Sequence, residues 1–161
     1  MEEQTFHALY AATAKPLWAY IARVSGRPDV ANDLLQETYC RFLASKLGKG
    51  ELAEVRPYLF RIAANLLHDR WRNGEDTTWS EPPELGVERD LDTQIDIRDL
   101  MQQLKPRERQ LLWLAYVEGM THSEIAKSTG LQSMSVRILL LRARRRAAEL
   151  LARKERAVHE V

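Results

Sequence analysis

Residues 120–147 read M-T-H-S-E-I-A-K-S-T-G-L-Q-S-M-S-V-R-I-L-L-L-R-A-R-R-R-A, and this stretch predicts two helices joined by a tight turn. Thr121 and Glu124 form a capping box, in which each side chain satisfies a backbone amide at the start of a helix. Gly130 follows about two turns later, and a helix ends most easily on a glycine in the left-handed conformation. Ser133 is suited to cap a second helix. The stretch therefore predicts a helix-turn-helix.

The second of these helices has an apolar side and a basic side. Its apolar residues recur at spacings of four, three and four, which places them on one buried stripe: Val136, Leu140, Ala143 and Ala147. Five arginines lie largely outside that stripe: Arg137, Arg142, Arg144, Arg145 and Arg146. A cationic helix face is suited to contact phosphates, so the motif indicates DNA as a partner.

The charges of the chain are distributed unevenly, although its net charge is only +1. Residues 1–72 carry ten lysines or arginines against eight acids, residues 73–97 one against eight, and residues 98–161 thirteen against seven. The three balances are therefore +2, −7 and +6. A basic carboxyl-terminal segment is typical of a module that binds duplex DNA, whereas the acidic middle segment is expected to be solvated.

Three amphipathic helices are predicted in residues 1–72. The first is expected to break into two pieces at Pro16, because proline removes a backbone donor and crowds the preceding turn. The second is predicted to start at Pro28, with Asp29 as its cap. The third carries Pro57, which we place in its first turn.

The acidic segment, residues 73–97, lacks helical periodicity and contains two adjacent prolines. We expect it to be an extended or disordered linker that would let the parts on either side sit far apart. It separates a helical domain at residues 1–72 from a second helical domain at residues 98–161. Strand-like alternation is nowhere sustained, so the predicted fold class is all-α with two small domains.

Several classes of function find no support in the sequence. The single cysteine, Cys40, cannot form an internal disulfide, and we expect its side chain at or inside the edge of the core. The four histidines have no ligand-like spacing, so no metal and no cofactor are expected. No nucleophile, acid–base pair or phosphate loop is present to support an enzyme or a small-molecule substrate. The longest apolar run, residues 111–117, is too short to span a membrane, so we expect a cytoplasmic protein.

Two further motifs precede the helix-turn-helix. They are D-L-L-Q-E-T-Y at residues 33–39 and Y-L-F-R-I-A-A-N-L-L-H-D-R-W-R at residues 58–72. In this order the three motifs resemble the extracytoplasmic-function sigma factors of bacteria, and the resemblance covers nearly the whole chain. It implies an alternative sigma factor with two domains, called region two and region four. The partners that it implies are bacterial core RNA polymerase, promoter DNA and an anti-sigma factor.

The resemblance assigns polymerase binding to the helix that carries D-L-L-Q-E. In the family this helix docks on the clamp helices of core RNA polymerase, which implies contacts from Asp33, Gln36, Glu37 and Arg41. Gln36 and Glu37 lie three and four residues after Asp33, so these three residues share one polar helix face. From the spacing alone, the alternative is the solvated face of an ordinary amphipathic helix.

The third helix resembles the family's reader of the melted promoter element. Single-stranded DNA is held by cations along its backbone and by flat side chains against its bases. The residues that provide such groups are Arg61, Asn65, Arg70, Trp71 and Arg72. Trp71 is equally suited to the core or to separating strands, and Phe60 to the core or to stacking. Tyr58 is expected in the core.

Two neighbouring features have simpler explanations. Asp69 is expected to form a salt bridge with Arg72 or Arg70 and not to contact DNA, because a carboxylate repels phosphate. The loop at residues 46–54 would select the base that is turned out of the stack, although its sequence fits a flexible connector equally well.

The second helix of the helix-turn-helix is expected to dock in the major groove of the distal promoter element. The predicted duplex-binding residues are Gln132, Ser133, Ser135, Arg137, Ile138, Arg142, Arg145 and Arg146. The sequence departs from the family at Ile138, Leu139 and Leu141, which replace polar or basic side chains. These three are suited to contact thymine methyl groups, to pack on the preceding helices, or to bind a helical partner such as an anti-sigma protein.

Two other functions fit part of the sequence. A free-standing transcriptional regulator would touch DNA through the helix-turn-helix alone and would bind duplex without polymerase. A helical adaptor that sequesters a regulator would act through the amino-terminal half, and only the aliphatic residues at positions 138, 139 and 141 favour it.

Overall fold

All of the secondary structure in the described part of the chain is helical. The structure, a computed structural model, describes residues 3–45, 52–73 and 99–159. Its helices are α1 (Glu3–Ser25), α2 (Pro28–Ala44), α3 (Leu52–Arg72), α4 (Pro106–Leu112), α5 (His122–Thr129) and α6 (Ser133–His159). Residues 99–103 are also helical, and a π-helical turn at Trp113–Val117 continues α4. The predicted all-α fold class is confirmed.

Parts of two predicted segments lie outside the described residues. They are positions 74–97 of the predicted linker and positions 46–51 of the loop proposed to select a base. The domain boundaries at residues 72 and 98 therefore stay predictions.

Helices α1, α2 and α3 pack around an apolar core. Among its largest fully buried side chains are Leu17, Tyr20, Ile21, Phe42, Leu59 and Phe60. Cys40 on α2 is exposed, contrary to the expectation that it lies at or inside the edge of the core.

Helix α1 runs without a break through Pro16, so the predicted division into two pieces is wrong. Proline removes one backbone hydrogen bond, but the buried residues Leu9, Thr13 and Leu17 hold both sides of it in the core. The hydroxyl of Thr13 also donates to the carbonyl oxygen of Leu9 over 2.7 Å. Burial of this face therefore outweighs the loss of one hydrogen bond.

Three helix starts or caps differ from the prediction. Helix α2 begins at Pro28 as predicted, but its cap is Arg27 and not Asp29, which lies in the first turn, where its carboxylate accepts a hydrogen bond from Arg27 over 2.8 Å. Helix α3 begins at Leu52, ahead of Pro57, which is therefore inside the helix and not in its first turn. Ser133 is already the first helical residue of α6 and is not its cap.

The helix-turn-helix forms as predicted. The amide of Glu124 donates to the hydroxyl of Thr121 over 3.2 Å, and the amide of Thr121 donates to the carboxylate of Glu124 over 3.1 Å. Gly130 ends α5 with a φ of 78°, which a residue with a side chain rarely adopts. The buried stripe of α6 also forms, since Val136, Leu140 and Ala143 are buried and Ala147 is partly buried.

The amino-terminal and carboxyl-terminal parts pack against each other around one continuous core, which we call the closed arrangement. Helix α4 lies on α1, and α5 lies on α3. The buried amide of Gln110 donates to the hydroxyl of Tyr20 over 2.8 Å, and burial raises the pKa of Tyr20 far above its ordinary value. The ring of Tyr20 packs on that of Phe60, with centroids 5.0 Å apart. The two parts therefore share buried contacts, whatever length of chain connects them.

The described residues were expected to hold neither a membrane span nor a metal. None of the helices in residues 3–45, 52–73 and 99–159 is long and apolar enough to cross a bilayer. Among the same residues, His, Cys, Asp and Glu side chains do not gather in groups of three that a metal ion requires.

Candidate functional site

The four residues predicted to bind polymerase lie together on the outer face of α2. Asp33, Gln36, Glu37 and Arg41 are all exposed. The opposite face of the helix carries buried side chains: Leu34, Leu35, Thr38 and Phe42. Arg41 Nε donates to Glu37 Oε1 over 3.0 Å, one turn along the helix. The two carboxylates of this face are themselves one turn apart, so the face is suited to a partner with cationic side chains.

A polar stripe runs along one side of α3. Tyr58, Asn65 and Arg72 recur every seven residues and are exposed, and Arg61 and Asp69 lie between them on the same side. We call these five residues the α3 stripe. Asp69 accepts a hydrogen bond from Arg72, which confirms the salt bridge expected from the sequence. The stripe combines cations, an amide and an aromatic ring, the groups that hold single-stranded DNA.

The three aromatic residues of α3 lie in different environments. Phe60 is 1% exposed and is a core residue, which decides between the two roles that its position allowed. Tyr58 is 37% exposed, so the expectation that it lies in the core was wrong. Its spacing of seven residues from Asn65 is the signal that identifies it as a surface residue. Trp71 is partly buried with its ring 5.1 Å from that of His68, an environment that favours a packing role.

The candidate DNA residue Arg61 also contacts the helix-turn-helix. Its Nη1 donates to the backbone oxygen of Lys127 over 3.3 Å. Its guanidinium lies 3.0 Å from the position that a Cβ on Gly130 would occupy, so a side chain at residue 130 would displace it. Glycine is therefore favoured at this turn for two reasons: the backbone is left-handed, and α3 approaches it closely.

Arg56 connects the two parts through two short polar contacts. Its Nη2 donates to the backbone oxygen of Glu118 over 2.8 Å and to the carboxylate of the same residue over 2.7 Å. The Glu118 side chain is only 8% exposed, so the cation of Arg56 compensates a nearly buried negative charge. The Arg56 guanidinium also lies over the ring of Phe60, 5.8 Å from its centroid.

His68 faces α4 from α3. Burial lowers the pKa of His68, and the nearby positive charge of Arg107 lowers it further, while a hydrogen bond with Gln110 acts in the opposite direction. Burial and Arg107 therefore both favour the neutral form of the imidazole at this contact.

The outer face of α6 carries apolar and basic side chains. Its exposed residues at the first, second, fifth, sixth and ninth helical positions are Ser133, Met134, Arg137, Ile138 and Leu141. Gln132 is exposed just before the helix, whereas Ser135 is partly buried. Leu139 packs on the core, so of the three aliphatic residues that depart from the family pattern it alone faces inward.

The arginines of α6 provide a cationic surface around that face. Arg142, Arg144 and Arg145 are exposed, and Arg144 Nη1 donates to the hydroxyl of Tyr116 over 3.2 Å. Arg146 is partly buried and lies 4.0 Å from the carboxylate of Glu149. Residues 125–148 contain no aspartate or glutamate, so the first acid on α6 is Glu149, beside Arg146.

Comparisons with known proteins give a consistent result along the chain. Residues 9–77 match the family model for Sigma-70 region 2, and residues 94–146 match the model for Sigma-70, region 4, so that together the matches cover more than half of the chain. The ECF RNA polymerase sigma factor SigL of Mycobacterium tuberculosis is 29% identical over 146 residues, with 84% of this chain and 82% of that protein covered. The RNA polymerase sigma factor CarQ of Myxococcus xanthus is 28% identical over 164 residues, with 95% and 92% covered.

The fold also has a counterpart among solved structures. The sigma factor RpoE of Bartonella quintana, solved in complex with the anti-sigma factor NepR, superposes with a TM-score of 0.71 at 22% sequence identity. The superposition covers 92% of this chain and 98% of the RpoE chain. The arrangement of helices is therefore shared over nearly the full length of both chains.

Proposed function

The chain belongs to the extracytoplasmic-function group of the sigma-70 family and is an alternative sigma factor, and on this premise we propose how its surfaces act on polymerase and promoter. It binds core RNA polymerase and directs it to a small set of promoters. It performs no chemistry itself, since the polymerase supplies the catalysis, and it acts in the cytoplasm. Residues 1–72 and 98–161 form its two working domains, with residues 73–97 as the linker.

The observation that carries this proposal is the placement of opposite charges on separate exposed elements. The outer face of α2 presents Asp33 and Glu37, whereas residues 133–148 of α6 present arginines and contain no acid. A single surface cannot serve both a cationic protein groove and a phosphate backbone, because like charges repel. Two surfaces of opposite charge on one chain suit a protein that binds polymerase at one end and duplex DNA at the other.

The polymerase contact is assigned to the α2 face. Asp33, Gln36, Glu37 and Arg41 project outward together, and α1 and α3 hold the helix from behind. Arg41 already pairs with Glu37 and thereby orients the Glu37 carboxylate. Its remaining N–H groups can donate to polymerase at the edge of the α2 face.

The contact with the melted strand is assigned to the α3 stripe, together with Arg70 and Trp71. Arg61 and Arg72 supply cations for the strand's phosphates, Asn65 supplies hydrogen bonds, and Tyr58 supplies an exposed ring on which a base can stack. Tyr58 thus takes the stacking role that Phe60, being buried, does not have. Trp71 supports the helix from within.

The contact with duplex DNA is assigned to α6. Gln132, Ser133 and Arg137 lie at the amino-terminal end of the exposed face, where a recognition helix reaches base edges. Ile138 follows on the same face, and Ser135 lies at its partly buried border. Arg142, Arg145 and Arg146 bind phosphates and set the position of the helix in the groove.

In the closed arrangement the α6 surface is free to bind DNA, whereas the α3 stripe is partly occupied by a contact within the protein. The outer face of α6 is open to solvent, but Arg61 of the α3 stripe is held by the helix-turn-helix. The melted strand therefore reaches Arg61 only after the two domains separate. We assign the closed arrangement to the free protein and the separated arrangement to the polymerase complex. An anti-sigma factor, as found with RpoE, is the kind of partner that would stabilise the closed arrangement.

Reconstitution with purified core RNA polymerase tests the proposed function against its alternatives. The sigma assignment requires comigration with core on gel filtration and selection of one promoter class by the complex. A free-standing regulator would select the same duplex without core, and an adaptor would select none.

Two arginines of α6 are expected to differ in how they affect sequence selection. Arg137→Ala should lower affinity for the selected promoter by about 5- to 150-fold while changing binding to random duplex little, because a base contact contributes about 1–3 kcal/mol of discrimination. Arg145→Ala should lower affinity equally on all duplexes and reduce the salt slope by about one. Fluorescence anisotropy at several salt concentrations measures both quantities. A uniform loss for Arg137→Ala on every duplex would show that it binds phosphate instead.

The Arg56–Glu118 contact is expected to control domain closure. Glu118→Lys places a second cation against Arg56. It should lower the closed population about tenfold or more, because Arg56 loses its negative partner and faces a like charge in a nearly buried position. Dyes on the exposed native Cys40 and on a cysteine introduced at the exposed Ala152 report the closure by energy transfer.

Arg27→Ala provides the matched control, since it breaks an ion pair of similar length at the start of α2, within one of the two parts. Transfer efficiency should fall only in Glu118→Lys. The closure assignment is wrong if both variants keep the efficiency of the unmodified protein.

A further inference from the structure

The exposed face of α6 carries an unusual row of apolar side chains. Met134, Ile138 and Leu141 are exposed by 67%, 48% and 42%. They are four and three residues apart, so they form one line along the helix, which we call the α6 apolar line. Contiguous exposed apolar surface of this kind marks a binding site.

We propose that the α6 apolar line reads thymine methyl groups in the major groove of the distal promoter element. This deepens the proposed function and rests on it. The C5-methyl of thymine is the apolar group among the donors and acceptors of the base edges in this groove. The sigma factor thus selects its element largely through methyl contacts, with Arg137 adding hydrogen bonds within the same face.

The charge around the apolar line favours duplex DNA as its occupant. Exposed Arg137, Arg142 and Arg145 accompany it along the helix, and residues 125–148 contain no acid that would repel phosphate. Nucleic acid presents phosphates along both edges of the groove, so the cations and the apolar line have complementary partners in one ligand.

The dimensions of the line also fit a groove. Met134 and Leu141 are seven residues apart, which is on the order of 10 Å along a helix, or about three base pairs of duplex. Met134 is the second helical residue, and the amino-terminal residues of a recognition helix contact the base edges. The line therefore extends from the groove floor across neighbouring base pairs.

The same side chains disfavour G·C pairs. An aliphatic group packed against a guanine or cytosine edge leaves the donors and acceptors of that edge without partners, which carries a desolvation cost. At the reading end of α6 the side chains that can supply such partners are Gln132, Ser133 and Arg137, which lie beside the line and not on it. Selection then comes both from methyl burial at A·T pairs and from exclusion of G·C pairs opposite the line.

Replacement of thymine by uracil tests the inference, because it removes only the C5-methyl group. The complex with core polymerase selects duplexes from a randomised pool, and the selected duplex is then made with deoxyuridine at each thymine in turn. We expect about a fourfold loss of affinity at two or three neighbouring positions, the value of burying one methyl group. Ile138→Ala should remove the thymine-to-uracil difference at one of these positions and Leu141→Ala at another.

Leu151→Ala provides the matched control, since this leucine is also exposed on α6 but lies outside the line. It should keep every thymine-to-uracil difference. Equal affinity for thymine and uracil at all positions overturns the inference and leaves the proposed function intact, whereas a pool without any enriched sequence overturns both. Unchanged differences in Ile138→Ala and Leu141→Ala also overturn it, because residues outside the line then contact the methyl groups.

Discussion

Asp33→Lys together with Glu37→Lys is expected to weaken association with core RNA polymerase by about 100-fold or more. The two carboxylates lie one turn apart on the exposed face of α2, and reversal places two cations against a surface that selects anions. Like charges facing each other across an interface cost several kcal/mol, and 100-fold corresponds to about 2.7 kcal/mol. The affinity for core, measured by isothermal titration calorimetry without a label, gives the size of the loss.

The control for this variant carries the same change in net charge at exposed acids elsewhere. Glu3→Lys with Glu155→Lys alters α1 and α6 outside the α2 face. Its affinity for core should match that of the unmodified protein, and both double variants should keep the helical content. If the two double variants lose affinity to the same extent, overall charge and not the α2 face determines binding.

Phe60→Ala is expected to lower the free energy of unfolding by about 3–5 kcal/mol, as for other buried phenylalanines. The ring is 1% exposed, packs on Tyr20 and lies under the Arg56 guanidinium, so its removal opens a cavity where the two domains meet. Urea unfolding followed by circular dichroism measures the loss. Phe60→Leu keeps most of the side-chain volume and should recover most of the stability.

Tyr58→Ala is the matched comparison two residues away. Because this ring is partly exposed, its removal should lower the free energy of unfolding by about 1 kcal/mol or less, well below the loss in Phe60→Ala. It should instead weaken binding of the polymerase complex to a template with a pre-melted bubble, since one stacked base contributes about 1–3 kcal/mol. The two assignments are wrong if Phe60→Ala affects bubble binding without affecting stability, or if Tyr58→Ala unfolds the protein.

The features that sequence reasoning predicted correctly depend on residues close together in the chain. The capping box of Thr121 and Glu124 and the turn at Gly130 are decided within a few residues, and both form as predicted. The buried stripe of α6 follows from helical periodicity in the same way. The salt bridge of Asp69 spans three residues. In each case the local geometry of a helix determines the outcome.

The features that sequence reasoning missed depend on packing between segments that are distant in the chain. Pro16 breaks an isolated helix more readily than one whose residues on both sides are buried, so its effect was overestimated. Tyr58 was placed inside because it lies near Ile62, although its spacing from Asn65 indicates the surface. The closed arrangement rests on Arg56–Glu118 and Tyr20–Gln110, pairs separated by 62 and 90 residues, and no periodicity reveals such pairs.

For the site, the sequence predicted which residues share a face but not what that face contacts. Asp33, Gln36, Glu37 and Arg41 lie together as expected, because positions three and four apart are neighbours on a helix. The contact of Arg61 with the helix-turn-helix requires knowledge of the domain packing. The roles of these residues toward polymerase and DNA stay predictions until variants are measured.

The central claim is that the α2 face and the α6 face act together on one promoter, and run-off transcription tests it most directly. Purified core polymerase is combined with the unmodified protein, with the Asp33→Lys/Glu37→Lys variant or with Arg137→Ala, on a template that carries the selected duplex. We predict a single defined transcript with the unmodified protein, none with the first variant and a strongly reduced amount with the second. A transcript of equal amount from all three proteins, or none from the unmodified protein, would contradict the account.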